Sequence, residues 1–353
     1  VDHPAPDTDT DTGTGHGPEL GTALGAALDS VLDAVPTARL APVVERLIGA
    51  YRSGSVPTAP ILRSDDDAAA YAAYRMPATH AAVLDVLGRA AGRVPAPATH
   101  VDLGGGTGAA VWAAAQVWPS VRRTTVLEAA APARAMGRRL AALAPAAVVR
   151  SARWEDVLLG TGTELPDADL LTACYLLGEL PDPVRAAVPA AMARSARIVA
   201  VVEPGTPAGY AHVLAARSRL LDAGLRIVAP CPHDDTCPVT GADWCHFAAR
   251  VNRSSRHRAL KAGSLGHEDE KFSYVVAVRP DGAQPPPRAA GRVLRHPRSR
   301  KGLVTLSVCG ADGELRDTPV PRSRGALYRA ARDAAWGDPW PPEYDGPGTR
   351  NRG

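Results

Sequence analysis

The stretch that most limits how this chain can fold is Asp102-Leu103-Gly104-Gly105-Gly106-Thr107-Gly108, which joins the short apolar run before it to the Ala-rich AAVWAAAQV after it. It reads as strand, tight turn and helix. Glycines let backbone approach a ligand closely, and the following helix N-terminus offers free N–H groups. The next strand, TTVLEAA, ends in Glu128, an acid placed to hydrogen-bond ribose hydroxyls, as in dinucleotide folds. The alternation continues with APARAMGRRLAALA as helix, 147–150, 169–175 and ARIVAVVEP as strands, HVLAARSRLLDAG as helix, and 226–229 and 273–279 as closing strands. Strands alternating with helices predict a largely parallel sheet covered on both faces, an α/β architecture.

Around this core the chain divides by composition. Residues 1–18 are acidic, rich in Thr, Gly and Asp, and read as a disordered tail. Residues 19–95 carry apolar positions at helical spacing, broken by a Pro/Ser/Asp stretch over 57–67, and Pro77 opens the last helical segment. Tyr71, Tyr74, Arg75 and His80 lie there as candidates to line a site, with packing the expected role of the tyrosines. The α/β domain spans 96–282, with a cysteine-rich basic insertion at 230–272. Beyond the proline-rich DGAQPPPRAAG, residues 290–340 read as a small β element with a hairpin turn near Gly310–Gly313 and a closing helix, and 341–353 as a loose tail.

No apolar run approaches the roughly 18 residues needed to span a membrane, and the start of the chain lacks the basic and apolar regions of a signal peptide. Five cysteines, an odd number, do not make a secreted disulfide framework. The sequence therefore predicts a soluble, cytoplasmic protein without a membrane partner, with a monomer as the default. Net charge is only +3, but from His246 to Lys301 thirteen Arg and Lys face four Asp and Glu. Such a stripe suits a polyanion, RNA above all, and the residues that would grip phosphate are Arg250, Arg253, Arg256, Arg258 and Lys261 on a predicted helix, then Arg295, Arg298, Arg300 and Lys301. The chain's three lysines and both phenylalanines, Phe247 and Phe272, also fall within or just beyond this insertion.

Two cofactors compete for the glycine turn. Gly104-x-Gly106-x-x-Ala109 can be read as a variant dinucleotide fingerprint. The preceding Asp102 and the Gly104-x-Gly106-x-Gly108 register instead resemble motif I of class I S-adenosylmethionine-dependent methyltransferases, and the helical N-terminal region fits that reading better. In such enzymes the segment after the third strand flanks the adenine, which here points to Trp154, Glu155 and Asp156. The fourth strand lacks the Asn/Asp-Pro-Pro-aromatic loop of amino-group methyltransferases of adenine. Cys174 lacks the Pro-Cys context of a 5-methylcytosine nucleophile, and Glu179 and Glu203 are acid–base candidates only by position at strand ends.

Cys231, Cys237 and Cys245 lie within fifteen residues, and Cys309 follows after sixty-three more. A structural zinc site usually shows a C-x2-4-C knuckle, which is missing, although His233 or His246 could complete one. Widely spaced Cys-Pro ligands suit a [4Fe–4S] cluster better. Either metal would tie the small β element back onto the α/β domain.

Taken together, DLGGGTG, VVEPGTPAG, PCPHDDTCP, WCHFAARVNRSSRHRALKAG, LGHEDEKFSY and RVLRHPRSRKGLVTLSVC resemble the methyltransferase-like proteins of the mitochondrial small ribosomal subunit and their bacterial relatives, over about 74–340. The resemblance implies a class I methyltransferase (Rossmann-like) fold, S-adenosylmethionine held by Asp102, Gly104, Gly106, Gly108, Glu128, Glu155 and Asp156, and association with the small subunit or its rRNA. It also implies a [4Fe–4S] cluster on Cys231, Cys237, Cys245 and Cys309, and a family in which some members act as assembly factors without methylating.

Overall fold

The computed structural model describes residues 17–52, 60–252, 260, 267–282 and 286–342. Of the tails expected at 1–18 and 341–353, only 17–18 and 341–342 fall within it.

Four helices open the described chain: α1 (Gly17–Leu32), α2 (Thr37–Arg52), α3 (Asp65–Tyr74) and α4 (Met76–Ala90). The start of α3 is written in Ser64-x-x-Asp67, a capping box: Ser64 Oγ accepts from Asp67 N at 3.2 Å and Asp67 Oδ2 accepts from Ser64 N at 3.2 Å. Asp65, Asp66 and Asp67 also suit the positive end of the helix dipole. Pro77 sits in the first turn of α4, and Arg75 is the hinge between the two helices.

The central sheet contains β1 (Thr99–Leu103), β2 (Arg123–Glu128), β3 (Arg153–Asp156), β4 (Ala168–Cys174), β5 (Ala196–Pro204), β6 (Arg226–Ala229), β7 (Phe247–Asn252) and β8 (His267–Val278). Its order is β3-β2-β1-β4-β5-β8-β6, with β7 also paired to β8. The first five strands are mutually parallel, whereas β8 runs antiparallel to β5, β6 and β7. Strand β5 is apolar and buried almost throughout, as a strand covered on both faces must be. One face is covered by α4 and α5 (Ala109–Val117) through Val83, Leu87, Ala110 and Ala114. The other is covered by α8 (Asp182–Ser195) and α9 (Pro207–Asp222) through Val188, Met192, Val213 and Leu220. A separate apolar cluster packs α1, α2 and α3 against α5 and α6 (Ala131–Ala142) around Trp112, Met76 and Leu140. Burying each such large side chain contributes about 1.5–3 kcal/mol.

Two expectations are corrected. Residues 147–150 form a short helix, α7 (Ala147–Arg150), not a strand: Val149 N and Arg150 N both bond to Ala146 O, at 3.1 and 3.2 Å. A four-residue apolar run cannot distinguish the two by pattern, and the third strand is the RWED segment that follows. The basic stretch begins as strand rather than helix, since Phe247, Ala249 and Val251 are buried while Ala248 and Arg250 are exposed, a period of two. Arg253, Arg256, Arg258 and Lys261 lie outside the described residues. The two phenylalanines pin this hairpin: Phe247 and Phe272 face each other at 6.3 Å between centroids, and both meet Tyr274, at 5.2 and 5.8 Å.

A second sheet of four strands follows, with β9 (Gly291–Val293), β11 (Leu303–Gly310) and β12 (Leu315–Pro321) carrying its core and β10 (Arg298–Arg300) at its edge. Helix α10 (Ala326–Asp333) closes it over Val304, Leu306 and Val320. This element is tied to the first by Arg292, whose Nε donates to Pro230 O at 3.0 Å and whose Nη1 donates to Gly337 O at 2.9 Å.

Candidate functional site: a glycine turn, a cavity and four cysteines

The carboxyl ends of β1, β2, β4 and β5 converge on one edge of the sheet, beside the switch point between β1 and β4 where open α/β sheets bind ligands. In the turn after β1, Gly104, Gly106 and Gly108 have φ of 57°, 54° and 90°, which L side chains adopt only under strain. Their surroundings differ. A Cβ on Gly108 would lie 2.9 Å from Trp154 Cζ2, whereas one on Gly106 would meet nothing within 4 Å. Gly106 is the point at which a ligand can approach.

Asp102 lies beneath the turn, 1% exposed. Its Oδ1 accepts from Thr172 Oγ1 at 2.6 Å, and that hydroxyl accepts in turn from His100 Nε2 at 2.9 Å. Its Oδ2 stands 2.3 Å from where a Cβ on Gly105 would be. Burial pushes the Asp102 carboxyl up to about 7, with the Thr172 bond opposing and Glu128 adding to the lift. Asp102 thus holds the turn from below rather than facing open space.

Glu128 bridges the ends of β1 and β2, accepting from Gly106 N at 2.9 Å and from Ala130 N at 2.7 Å. Burial raises its pKa, against the pull of these N–H groups and of Arg134. Arg134 donates to Glu128 O at 2.6 Å, to Ala129 O at 2.7 Å and to Asp156 Oδ2 at 2.7 Å, so it fixes the ends of β2 and β3 together. Glu155 and Asp156 are exposed along this rim. Trp154 is different from the sequence reading: it is 6% exposed, lies against Gly108 and Gly137, and donates from Nε1 to Gly106 O at 3.2 Å. It braces the turn from within.

Next to the turn, at the ends of β4 and β5, lies a cavity of about 720 Å³. Tyr71, Tyr74 and Arg75 reach it from the helical region, so these are more than packing residues; His80 does not line it. Arg75 makes a bidentate pair with Glu270, at 2.7 and 2.8 Å, and stands 4.6 Å over the ring of Tyr175. Tyr175 Oη donates to Glu270 Oε1 at 2.9 Å, and Tyr175 has φ of 57°, the one positive value at a non-glycine among the described residues. Strained backbone of this kind clusters at functional sites. Glu203, 1% exposed, accepts from the backbone N–H groups of Leu176, Leu177 and Gly178 at 3.0, 2.8 and 3.3 Å. Glu179 is pushed up to about 8 by burial and by Glu128 and Glu203, which makes it a neutral donor at neutral pH. Cys174 is held as a thiol, its pKa raised well above the ordinary value by burial and by Asp102 and Glu203, so nothing activates it as a nucleophile. Arg75 is among the sequence's candidates to line a site, but its partner Glu270 was invisible to sequence reasoning, because the two are 195 residues apart and no local pattern links them.

The four remaining cysteines converge from the loop after β6, the approach to β7 and strand β11. All are free thiols, and only Cys309 is fully buried. Burial is the first cause of the raised pKa of Cys231, Cys245 and Cys309. Cys237 adds to the lift on Cys231, and Cys231 and Cys237 add to it on both Cys245 and Cys309. Arg217 opposes it at Cys231 and Cys309, and itself is fixed by bonds to His233 O at 3.1 Å and Asp235 O at 2.8 Å. Cys309 Sγ lies 3.4 Å from His233 Nε2, and Tyr210 Oη donates to Cys237 Sγ at 3.2 Å. Yet among the described residues no group of three or more His, Cys, Asp and Glu is arranged to hold a metal ion.

Of the described phosphate-gripping candidates, Arg250, Arg295 and Arg298 are paired with Asp269, Asp243 and Asp317 at 3.0, 2.5 and 2.6 Å. Arg300 and Lys301 are exposed at the edge of the second sheet. Among the described residues no helix is long and apolar enough to cross a membrane.

Five parallel strands ordered 3-2-1-4-5, closed by an antiparallel strand inserted before β6, with a glycine turn after β1 and an acid ending β2, define a class I methyltransferase (Rossmann-like) fold. Residues 65–341 match the family model described as mitochondrial small ribosomal subunit Rsm22, and the chain belongs to that family. The human mitochondrial ribosome assembly protein METTL17 is 28% identical over 293 residues, covering 76% of this chain and 61% of that protein. The mitochondrial Rsm22-cox11 tandem protein 2 of Schizosaccharomyces pombe is 31% identical over 185 residues, covering 41% of this chain and 25% of that protein. The chain thus spans less than two thirds of the length of these relatives. Among solved structures, magnesium protoporphyrin IX methyltransferase of Synechocystis, with S-adenosylmethionine bound, is 14% identical at a TM-score of 0.38, covering 73% of this chain and 97% of that one. The cytoplasmic location expected from the sequence is corrected by these relatives, which are mitochondrial proteins.

Proposed function

We propose that this protein is an S-adenosylmethionine-dependent, methyltransferase-like factor that acts on or with small-subunit rRNA during ribosome assembly. The observation that carries the reading is the juxtaposition of the open backbone at Gly106 and the Glu128 carboxylate with a 720 Å³ cavity at the ends of the neighbouring strands. Gly104, Gly106 and Gly108 would bring backbone close to the donor, Asp102 would hold the turn rigid, and Glu128 would take the ribose hydroxyls in place of its present N–H partners. Glu155 and Asp156, on the rim beyond β2, would flank the adenine. The acceptor would enter the cavity, between the tyrosines and the neutral Glu179, and positioning rather than a strong base would supply the catalysis.

A second reading, a non-catalytic iron–sulfur RNA-binding assembly factor, draws on Glu203: three backbone N–H groups occupy its carboxylate, so Glu203 itself is not a free base. Transfer of labelled methyl from S-adenosylmethionine to small-subunit rRNA, measured beside co-sedimentation with the small subunit, separates the two. Methyl transfer that a glycine-turn substitution abolishes supports the first, and co-sedimentation with no methyl transfer by the wild type supports the second.

Cys231, Cys237, Cys245 and Cys309 would hold a [4Fe–4S] cluster, with zinc as the alternative metal. The chemistry of the donor set supports this, since four thiols converge and the Arg217 guanidinium opposes the lift that burial gives Cys231 and Cys309. When bound the cluster would supply a rigid tie between the two sheets. Arg250, Arg253, Arg256, Arg258, Lys261, Arg295, Arg298, Arg300 and Lys301 would contact RNA phosphates.

A further inference from the structure

The chain has six tryptophans, and Trp112, Trp118, Trp154 and Trp340 are buried to 7% exposure or less. The two that are not buried, Trp244 and Trp336, come from segments 92 residues apart and meet in one cluster. Trp244 stacks on His246 at 5.2 Å and 24°, His246 meets Trp336 edge-on at 4.7 Å, and the exposed His296 meets Trp336 from another side at 5.4 Å. Arg295 lies over the Trp336 ring at 5.3 Å and donates to Trp244 O at 3.4 Å and Asp243 Oδ1 at 2.5 Å, so one guanidinium joins the Trp336 ring to the Trp244 backbone. Trp244 is held further by its Nε1 bond to Gly205 O at 2.9 Å. Both rings are half-buried, packed in part against the apolar cluster that holds Phe247 and Cys309, with the remainder at the surface.

A cationic edge continues from the cluster. Strand β10 carries Arg298 and Arg300 outward and leads to Lys301, while Arg322 N bonds to Gly302 O at 2.8 Å and brings Arg322 and Arg324 to the same turn. Arg298 is matched by Asp317, but among the described residues Arg300, Lys301, Arg322 and Arg324 have no carboxylate partner. Aromatic surface beside uncompensated cations is what an unpaired nucleic-acid strand recognises: its bases stack on rings while its phosphates follow the charges. A duplex hides its base faces and could use only the cations.

We propose that Trp244, Trp336 and His296 form a stacking platform for unpaired RNA, with Arg300, Lys301, Arg322 and Arg324 holding its phosphates. The proposal rests on the RNA reading above and adds to it the strandedness of the partner and the residues that read it.

The test is fluorescence anisotropy of the full chain with a labelled twelve-nucleotide uridine oligomer and, separately, a fully paired RNA hairpin of equal charge. The single strand is expected to bind more tightly and to quench tryptophan emission. Trp244→Leu and Trp336→Leu are each expected to weaken single-strand binding by roughly 5- to 100-fold, the range of one lost stacking contact, and hairpin binding by less than about twofold. Trp336→Phe keeps a ring and is expected to recover most of the binding, which separates lost stacking from a damaged fold. Equal binding of strand and hairpin, or tryptophan variants that change both alike, would overturn the platform and leave the RNA reading standing. Binding to neither RNA would remove the RNA reading, and the platform with it.

Discussion

Asp102→Asn isolates the feature on which the glycine turn rests. Burial lifts the Asp102 carboxyl from 3.8 to about 7, so the folded state holds this proton more tightly than the unfolded chain does. The stability associated with the proton is intact below about pH 4 and is lost as pH rises towards 7, to a total of about 4 kcal/mol. Asparagine keeps the shape and the acceptor for Thr172 but has nothing to ionise. Between pH 5 and pH 8 the variant should therefore gain about 2–3 kcal/mol on the wild type. Urea unfolding of both proteins at the two pH values measures this directly, because every other titrating group cancels in the difference. A variant that is less stable by the same amount at both pH values would refute the reasoning and mean that Asp102 is ionised in the folded protein at a normal pKa.

Three further outcomes follow from the geometry. Gly108→Ala places a Cβ 2.9 Å from Trp154 Cζ2 at φ of 90°, and should cost roughly 1–3 kcal/mol in unfolding while weakening donor binding more than tenfold. Arg75→Ala leaves Glu270, 14% exposed at its side chain, with Tyr175 as its remaining partner among the described residues; thermal melting should show a loss of roughly 1–3 kcal/mol, part of which Glu270→Gln restores in the double variant. In anaerobically purified protein, Cys309→Ser should drop bound iron and sulfide from about four of each per chain to a small fraction, and iron retained in full would remove Cys309 from the proposed ligand set.

The parts of the fold that repeat a local pattern were legible in the sequence. The strand, glycine turn and acid at 99–128 announce themselves because each needs a particular residue type at a particular place, and β5 reads as a buried strand because both its faces are apolar. What failed was local pattern at its shortest range. The four residues 147–150 are as apolar as a strand, and only the hydrogen bonds to Ala146 make them a helix. Arg250 reads as helical because charges spaced three apart suggest a helix, whereas the period-two burial of Phe247, Ala249 and Val251 puts it on a strand. At the site, the acids ending strands were visible, but their partners were not. Glu270 meets Arg75 and Tyr175 only through tertiary packing, and Trp154 turned inward because Gly108 and Gly137 leave room for its ring. The cysteines were visible as a set, and their convergence across two sheets depends on Cys309 lying on β11 within reach of His233.

The most direct test of the account is calorimetric titration of the purified chain with S-adenosylhomocysteine, beside the variant Glu128→Gln. The account predicts saturable binding at one site, at least tenfold weaker in the variant, whose far-ultraviolet dichroism is unchanged and whose melting falls only by the one N–H bond that the amide nitrogen cannot accept. A folded wild-type chain that takes up no ligand, or a Glu128→Gln variant that binds as tightly, would contradict a donor site at the ends of β1 and β2.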